Sequence, residues 1–422
     1  MKKKIAVIGT GIAGMGAAYF LRNEFDMEIF EKNDYVGGHT NTVTVQENGK
    51  DVNIDTGFIV YNDVTYPNLI RLFSELNVPV KNSQMSFSVQ YLPTGLEFCG
   101  SGIDGLFAQR KNFLNPSYYR LLYNINRFNN ESVSLLDNPE HQDITLAEYI
   151  KIYRFHPDLL EYYLVPMSSA VWSTPVDKMM KFPAVTLIRF FKNHGFLGLN
   201  TQHQWKTVVN GSKSYMNILT FSFRDRIRTG KCAIKVSEKK DSVSVEFADG
   251  EKRDFDRVIL ACHADEALAM LESPTPLQKE LLSNFKYEKN TAVLHTDETV
   301  MPKIRKAWSS WNYRVEKKGE GWSGSNIIYW MNSLQGVSDK MNYFVSINDT
   351  GNINPSKIIK KQEYYHPLFT VESMNAQKDL PKLNDSEKVN FCGSYFRYGF
   401  HEDAFSSGLN LAEKLLGRKV WN

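Results

Sequence analysis

Cysteine is scarce and scattered. Four residues, Cys99, Cys232, Cys262 and Cys392, are spread over 422 positions with no C-x-x-C pair. That pattern argues against a disulfide framework and against a cysteine-built zinc site, and it fits a reducing compartment. Long apolar runs are missing as well: none reaches the roughly 18 residues that would suggest a transmembrane helix. There is no excess of one charge, since 50 Lys and Arg stand against 47 Asp and Glu for a formal net charge of +3. The composition therefore gives no general case for a nucleic-acid partner. His194 and His203 lack a carboxylate or cysteine at metal-ligand spacing, so they read as structural or pocket histidines and no metal site is expected. What is present is a chain that is 42% apolar, long enough for roughly two to three domains' worth of core. Its 21 Tyr, 26 Phe and 7 Trp suit a large apolar pocket and equally suit an ordinary core.

The strongest pattern is Ile5-Ala6-Val7-Ile8-Gly9-Thr10-Gly11-Ile12-Ala13-Gly14. It reads as a buried strand, a glycine turn and the start of a helix. Gly9 permits the tight turn, Gly11 lets backbone approach a pyrophosphate, and Gly14 lets helix and strand pack closely. The exposed N–H groups at the helix start, Ile12 and Ala13 among them, and the helix dipole favour an anionic diphosphate. A second apolar run, Met27-Glu28-Ile29-Phe30, ends at Glu31 with Lys32 after it. Glu31 lies about 20 residues beyond Gly11, where an acceptor for a ribose hydroxyl pair belongs. Lys2, Lys3 and Lys4 ahead of an apolar segment also resemble the start of a signal peptide. Four glycines in that segment and the lack of a small-residue cleavage site argue against it, and the chain is expected to be cytoplasmic. A literal second match, residues 319–324 (Gly-Glu-Gly-Trp-Ser-Gly), fails its context. No apolar strand precedes it, residues 325–330 read as strand rather than helix, and Trp322 would crowd a pyrophosphate. A reductase needing NAD(P)H is therefore disfavoured.

Beyond Glu31, Gly37-Gly38 is a second place where backbone can lie against a cofactor, with His39 and Thr40 following. Gly57, before Phe58, interrupts a strand-like run and marks a bulge or a close backbone approach. Residues 61–200 change texture to helix-like aromatic segments and read as a substrate-facing cap; a helix is expected to open within residues 143–150. Within the cap, residues 105–121 mix Arg110, Lys111 and Arg120 with Phe107, Phe113, Leu114, Tyr118 and Tyr119. Such a stretch fits a solvated helix with one packed face, and it fits a peripheral contact with an anionic membrane surface. Segments around Phe182, Phe190, Phe191 and Phe196 are expected to wall an apolar pocket. Strands are expected at 232–236, 242–247, 256–263 and 287–295, and a closing helix over 409–416.

Together the fingerprint, Glu31, Gly37-Gly38 and the C-terminal Gly393-Ser394 and Glu402-Asp403-Ala404 resemble the flavin-dependent amine oxidase superfamily. The resemblance implies an α/β chain: a two-dinucleotide-binding-type FAD domain, Rossmann-like with a central parallel sheet, beside an α+β substrate domain, as in monoamine oxidase and phytoene desaturase. It assigns residues 1–65, 200–275 and 383–422 to FAD and residues 66–199 and 276–382 to substrate. It places Gly9, Gly11, Ile12, Ala13, Gly14, Glu31, Lys32, Gly37, Gly38, His39, Thr40, Gly57 and Phe58 against the cofactor. It places main chain near Cys232 at the adenine, Gly393 and Ser394 at the pyrophosphate, and Asp403 with the N–H groups of Ala404 and Phe405 at the flavin. The chain departs from the family pattern in three places: no Arg flanks Gly37-Gly38, with His39 standing where one would be, and Ser394 and Asp403 replace an Asp and a Gly. By position Lys289 corresponds to a lysine that many amine oxidases hold near the flavin. Lys289, His39 and His401 are the residues expected to handle protons.

A closer resemblance is to bacterial predicted NAD/FAD-binding flavoproteins, through Pro166-Met167-Ser168-Ser169, Leu294-His295-Thr296-Asp297, Trp308-Ser309-Ser310-Trp311, His366-Pro367 and Gly399-Phe400-His401-Glu402-Asp403. A similar region is fused to plant cyclopropane fatty acid synthases, which implies a lipid-acyl substrate by association. Three functions follow. The first is an FAD-dependent oxidoreductase taking a hydride from a C–H bond of an apolar, lipid-acyl-like substrate, peripheral at the inner membrane where that substrate lies. The second is an amine oxidase acting on a small amine or polyamine. The third is a non-catalytic flavoprotein partner of a lipid methyltransferase.

Overall fold

The apolar run at the N-terminus becomes the middle strand of a five-stranded sheet. In the computed structural model, which describes residues 2–198, 201–318 and 321–421, the order across that sheet is Ile227–Arg228, Asp26–Phe30, Lys4–Ile8, Arg257–Leu260, Val389–Phe391. All neighbours run parallel. Ile5, Val7, Val258, Ile259 and Leu260 are fully buried, the two-sided burial that continuous apolar strands of a parallel sheet require. The helix Ile12–Leu21 follows the first strand, and the C-terminal helix His401–Leu416 packs against it. Their contact is close: a Cβ at Gly408 would lie 2.2 Å from the Ala13 carbonyl oxygen. An antiparallel three-stranded sheet, Ala233–Glu238, Val243–Phe247 and Lys252–Phe255, packs against the parallel one through Phe247 and Phe30, whose rings are 4.6 Å apart.

The second large element is a seven-stranded sheet in the order Ile358–Leu368, Lys286–His295, Phe344–Ile347, Gly321–Trp330, Trp311–Lys318, Phe87–Tyr91, Leu96–Cys99. All its pairs are antiparallel except Trp311–Lys318 with Phe87–Tyr91. Helices between residues 102 and 193 form the cap. Within the stretch 143–150 expected to open a helix, Thr145 caps Leu146–Ile152 in a reciprocal capping box with Glu148. A π-turn at Leu160–Leu164 leads into Val165–Trp172, and that helix reaches the seven-stranded sheet, where the Tyr329 hydroxyl donates to the Ala170 carbonyl at 3.3 Å.

Trp205–Val208 pairs with Tyr61–Asn62 and Val80–Ser83 in a small sheet of its own. The final helix starts at His401, eight residues before the expected 409, because Asp403 accepts from the Phe400 N–H at 3.0 Å and caps it. Of residues 319–324, Gly319 and Glu320 lie outside the described residues; Gly321–Trp330 is strand, as predicted. Among the described residues no helix is long and apolar enough to cross a membrane.

Candidate functional site

The glycine turn sits at the carboxyl end of the central strand, where open α/β sheets bind ligands. Gly9 has φ +106°, and a Cβ there would meet the Ala261 carbonyl oxygen at 2.5 Å. A Cβ at Gly14 would meet the Gly9 carbonyl oxygen at 2.3 Å, so Gly14 serves the close packing of helix on turn. Gly11 differs: nothing lies within 4 Å of the place its Cβ would take. That open space is the cradle a diphosphate needs. Gly38 lies beside it, a Cβ there falling 3.4 Å from the Gly11 Cα. Gly57 packs equally tightly, its Cβ position lying 2.2 Å from the His39 carbonyl oxygen.

Glu31 is buried at the end of the second strand. One carboxylate oxygen accepts from the Thr10 N–H (3.0 Å) and hydroxyl (2.6 Å), and the other from the Asn33 N–H and side-chain amide (both 2.9 Å). These four bonds fill the four lone-pair sites of the carboxylate, so a ribose hydroxyl would have to take the place of one of the Thr10 or Asn33 donors. Lys32 turns instead to Glu266, 2.6 Å away. Cys232 and Ala233, with Met270 opposite, line the same space; the Cys232 carbonyl accepts from the Ala248 N–H at 2.8 Å.

One cavity of about 990 Å³ joins these residues to an aromatic chamber. Of the residues expected at the cofactor, Gly9, Gly11, Ile12, Ala13, Glu31, Lys32, Gly37, Gly38, His39, Gly57, Phe58, Cys232, Gly393, Ser394 and Ala404 line it. Gly14, Thr40, Asp403 and Phe405 do not. Thr40 is buried, its hydroxyl bonded to that of Tyr215 at 2.9 Å. Asp403 caps the last helix, accepting from the Tyr398 and Phe400 N–H groups. Phe405 is core, its ring 5.9 Å from Trp421. The expectation that the Ala404 and Phe405 N–H groups face a flavin is corrected with them. Because the helix begins at His401, the Ala404 N–H is spent on the Phe400 carbonyl at 3.0 Å, and the donors left over at a helix start are those of its first turn, 401–403.

The chamber is walled by Trp172, Phe190, Phe196, Trp205, Phe369 and Phe400. Phe190 stacks on Phe400 at 5.0 Å, and Trp172 lies 4.7 Å from Phe190. His194, expected to be structural or a pocket histidine, lies behind this wall, stacked on Phe190 at 3.8 Å, with its Nδ1 at 3.0 Å from the Phe190 carbonyl. His203 is half-buried, its Nε2 2.9 Å from the Asn193 carbonyl.

Four histidines line the cavity between the two ends. His401 lies flat on Phe58 at 3.8 Å and meets the Tyr215 hydroxyl through Nε2. His39 stacks on Tyr364 at 4.8 Å and lies 5.2 Å from His366. His366 holds Nδ1 at 2.9 Å from the Asn290 side-chain amide, so its Nδ1 accepts and its Nε2 carries the proton. His263 stacks on Tyr287 at 4.3 Å. Burial lowers all four: His401 to about 3, His366 to about 4, His263 below its ordinary value and His39 well below it, with the neighbouring histidines adding to burial at His39. They are neutral at physiological pH. His263 and His366 are additions to the sequence reading of the site. His263 follows a buried strand at its carboxyl end, a position that marks ligand contact in such sheets. His366 sits on an edge strand of the other sheet, and no local signal points to it.

Lys289 is not brought to the cavity. Its ammonium is half-exposed and paired with Glu363 at 2.6 Å, because strand alternation turns the buried Asn290 inward instead. The cavity wall carries three carboxylates among the described residues: Glu31, Glu266 and Glu363. All are committed, to Thr10 and Asn33, to Lys32, and to Lys289, and none stands among the aromatic walls. Among the described residues no cluster of three or more His, Cys, Asp or Glu could hold a metal ion.

A family model described as flavin containing amine oxidoreductase matches residues 12–329. Solved structures with the same fold include a putrescine oxidase bound to putrescine (13% identity over 99% of this chain and 100% of that one, TM-score 0.71). They also include a CLA-producing fatty acid isomerase from P. acnes (14%, 98% and 98%, 0.69) and a cyclohexylamine oxidase from Brevibacterium oxydans (14%, 99% and 100%, 0.69). None of the curated proteins compared matches the sequence.

Proposed function

The chain belongs to the flavin containing amine oxidoreductases, and from that premise we propose that this FAD-dependent oxidoreductase takes a hydride from a C–H bond of an uncharged, apolar, lipid-acyl-like substrate. The observation that carries the substrate class is the aromatic chamber: it opens onto the cofactor cradle and, among the described residues, offers no uncommitted carboxylate for an ammonium. Bound FAD supplies the two-electron acceptor. The residues of the chain supply position. Gly11 and Gly38 would leave room for the diphosphate, Glu31 would meet the ribose hydroxyls by giving up one of its present donors, and main chain at Cys232 and Ala233 would hold the adenine. Trp172, Phe190 and Phe400 exclude water and hold an apolar chain by contact area alone. His39, His263 and His401 are neutral imidazoles able to accept a proton at a ring nitrogen, whereas His366, its Nδ1 held by Asn290, offers an N–H donor.

The amine oxidase alternative loses the residue that motivated it, because Lys289 stands away from the cavity. Its diamine form also lacks a carboxylate in the chamber for the second ammonium. The test is anaerobic bleaching of the purified flavoprotein by unsaturated phospholipid or fatty-acyl compounds, with a diamine and a monoamine in parallel. Bleaching by the acyl compounds alone is expected. Bleaching by an amine alone overturns the substrate class, and a flavin that stays oxidised with every compound favours the non-catalytic partner of a lipid methyltransferase.

A further inference from the structure

The helical cap presents large apolar side chains outward. Leu114 is 89% exposed, Ile103 73% and Tyr123 67%, with Phe113 and Tyr119 also exposed. They form one surface. Phe113 stacks on Phe107 at 4.2 Å, and the Phe107 ring lies 5.9 Å from Tyr119. The Tyr119 hydroxyl donates to the Phe113 carbonyl at 3.1 Å. Tyr123 follows Tyr119 by one turn on the same side of the helix Pro116–Glu131. Ile103 belongs to the short helix Gly102–Leu106, closed by the Phe107 N–H donating to the Ile103 carbonyl at 2.9 Å. The surface is anchored from below by Tyr118, buried, whose hydroxyl donates to the Leu106 carbonyl at 2.5 Å. Side chains held outward on a packed base gain nothing for the fold, and a patch of this kind marks a surface that meets something else.

Its rim is basic. Arg110, Lys111 and Arg120 stand against Asp104 alone within residues 101–123, and that one carboxylate is shared by Arg110 at 2.5 Å and Lys306 at 3.1 Å, which leaves the rim with an excess of positive charge. An aliphatic and aromatic centre with a cationic rim matches the interfacial zone of an anionic bilayer. A second copy docking here about a two-fold axis would set one basic rim against another. The patch is linked to the site: Arg120 pairs with Asp158 at 2.7 Å, and the chain runs on from Asp158 through Leu160–Leu164 into Val165–Trp172, whose Val171 and Trp172 line the cavity.

We propose that the surface formed by Ile103, Phe113, Leu114, Tyr119 and Tyr123 with Arg110 and Lys111 docks the enzyme on anionic phospholipid membranes. It does not depend on which substrate the cavity takes. The test is flotation of the purified holoenzyme with vesicles of phosphatidylcholine alone and of phosphatidylcholine mixed with phosphatidylglycerol. Binding to the mixed vesicles is expected, about tenfold or more weaker without the anionic lipid and falling as salt rises. Leu114→Asp, Ile103→Asp and Lys111→Glu are each expected to weaken it several-fold, with flavin content and gel-filtration elution unchanged. The proposal is overturned if the wild type does not float with anionic vesicles. It is also overturned if all three variants bind as the wild type does, or if Leu114→Asp converts a dimer to a monomer and so shows that a second copy covers the patch.

Discussion

At the residue scale the two glycines of the turn separate folding from binding. Gly9 at φ +106°, with the Ala261 carbonyl 2.5 Å from where a Cβ would sit, cannot take a side chain without moving backbone. Gly9→Ala is expected to cost about 2–3 kcal/mol, read as a lower denaturation midpoint even without cofactor. Gly11 has φ −61°, an ordinary value for any residue, and open space beyond it. Gly11→Val should leave the thermal midpoint of the cofactor-free protein unchanged and abolish the flavin absorbance of the purified one. Equal stability losses for the two variants would refute this division. Lys289 gives the opposite kind of prediction. It is an exposed partner of Glu363, so Lys289→Met should leave the turnover number within about twofold of wild type, surface ion pairs being worth little. A large loss in steady-state assays would return that lysine to the site.

At the scale of elements, Asp55 joins three of them. It ends the strand Lys50–Asp55, and its buried carboxylate accepts from the Thr42 hydroxyl (2.5 Å), the Ser212 N–H (2.9 Å) and hydroxyl (2.8 Å) and the Gln335 amide (2.7 Å). Ser212 begins the helix Ser212–Thr220 and Gln335 ends Met331–Gln335, so one side chain ties the Asn210-Gly211 turn to the segment that joins two strands of the seven-stranded sheet. Asp55→Ala leaves those donors buried without an acceptor and is expected to destabilise by about 3 kcal/mol or more. Chemical denaturation should show a lower midpoint, with Asp55→Asn recovering part of the loss; an unchanged midpoint for Asp55→Ala would deny Asp55 this role.

At the scale of the whole molecule, buried titratable groups pull stability in opposite directions with pH. Burial lowers His39, His194, His263, His295, His366 and His401. A lowered imidazole leaves the folded state with fewer protons than the unfolded one, so its contribution is present above the ordinary value near 6.5 and is lost as pH falls towards 4 or 3. Burial raises Asp55 to about 6, Asp403 to about 7 and Glu402 above its ordinary value. Their contribution has the reverse sign, present below the ordinary carboxylate range and lost as pH rises through about 6 to 7. The histidines outnumber the carboxylates and span a wider window, so the thermal midpoint should fall between pH 7 and pH 5. A midpoint that rises on acidification would mean that the carboxylates dominate.

Much of the cofactor half was legible in the order of residues, because its signals are local. A strand, a turn that only glycine can make and a helix start lie within ten consecutive positions, and an acidic residue closes the next strand; each can be judged from its chain neighbours. The edge strand carrying His366, the pairing of Trp205–Val208 with Val80–Ser83, and the outward turn of Lys289 could not be judged that way. They depend on which strands lie side by side across 63 to 128 residues of chain and on which face a period of two turns inward. The cofactor cradle follows from local backbone chemistry and is written in the sequence; the aromatic chamber and its ring of neutral histidines exist only once two sheets and a helical cap are packed together, because burial and neighbour distance, not residue type, make them a site.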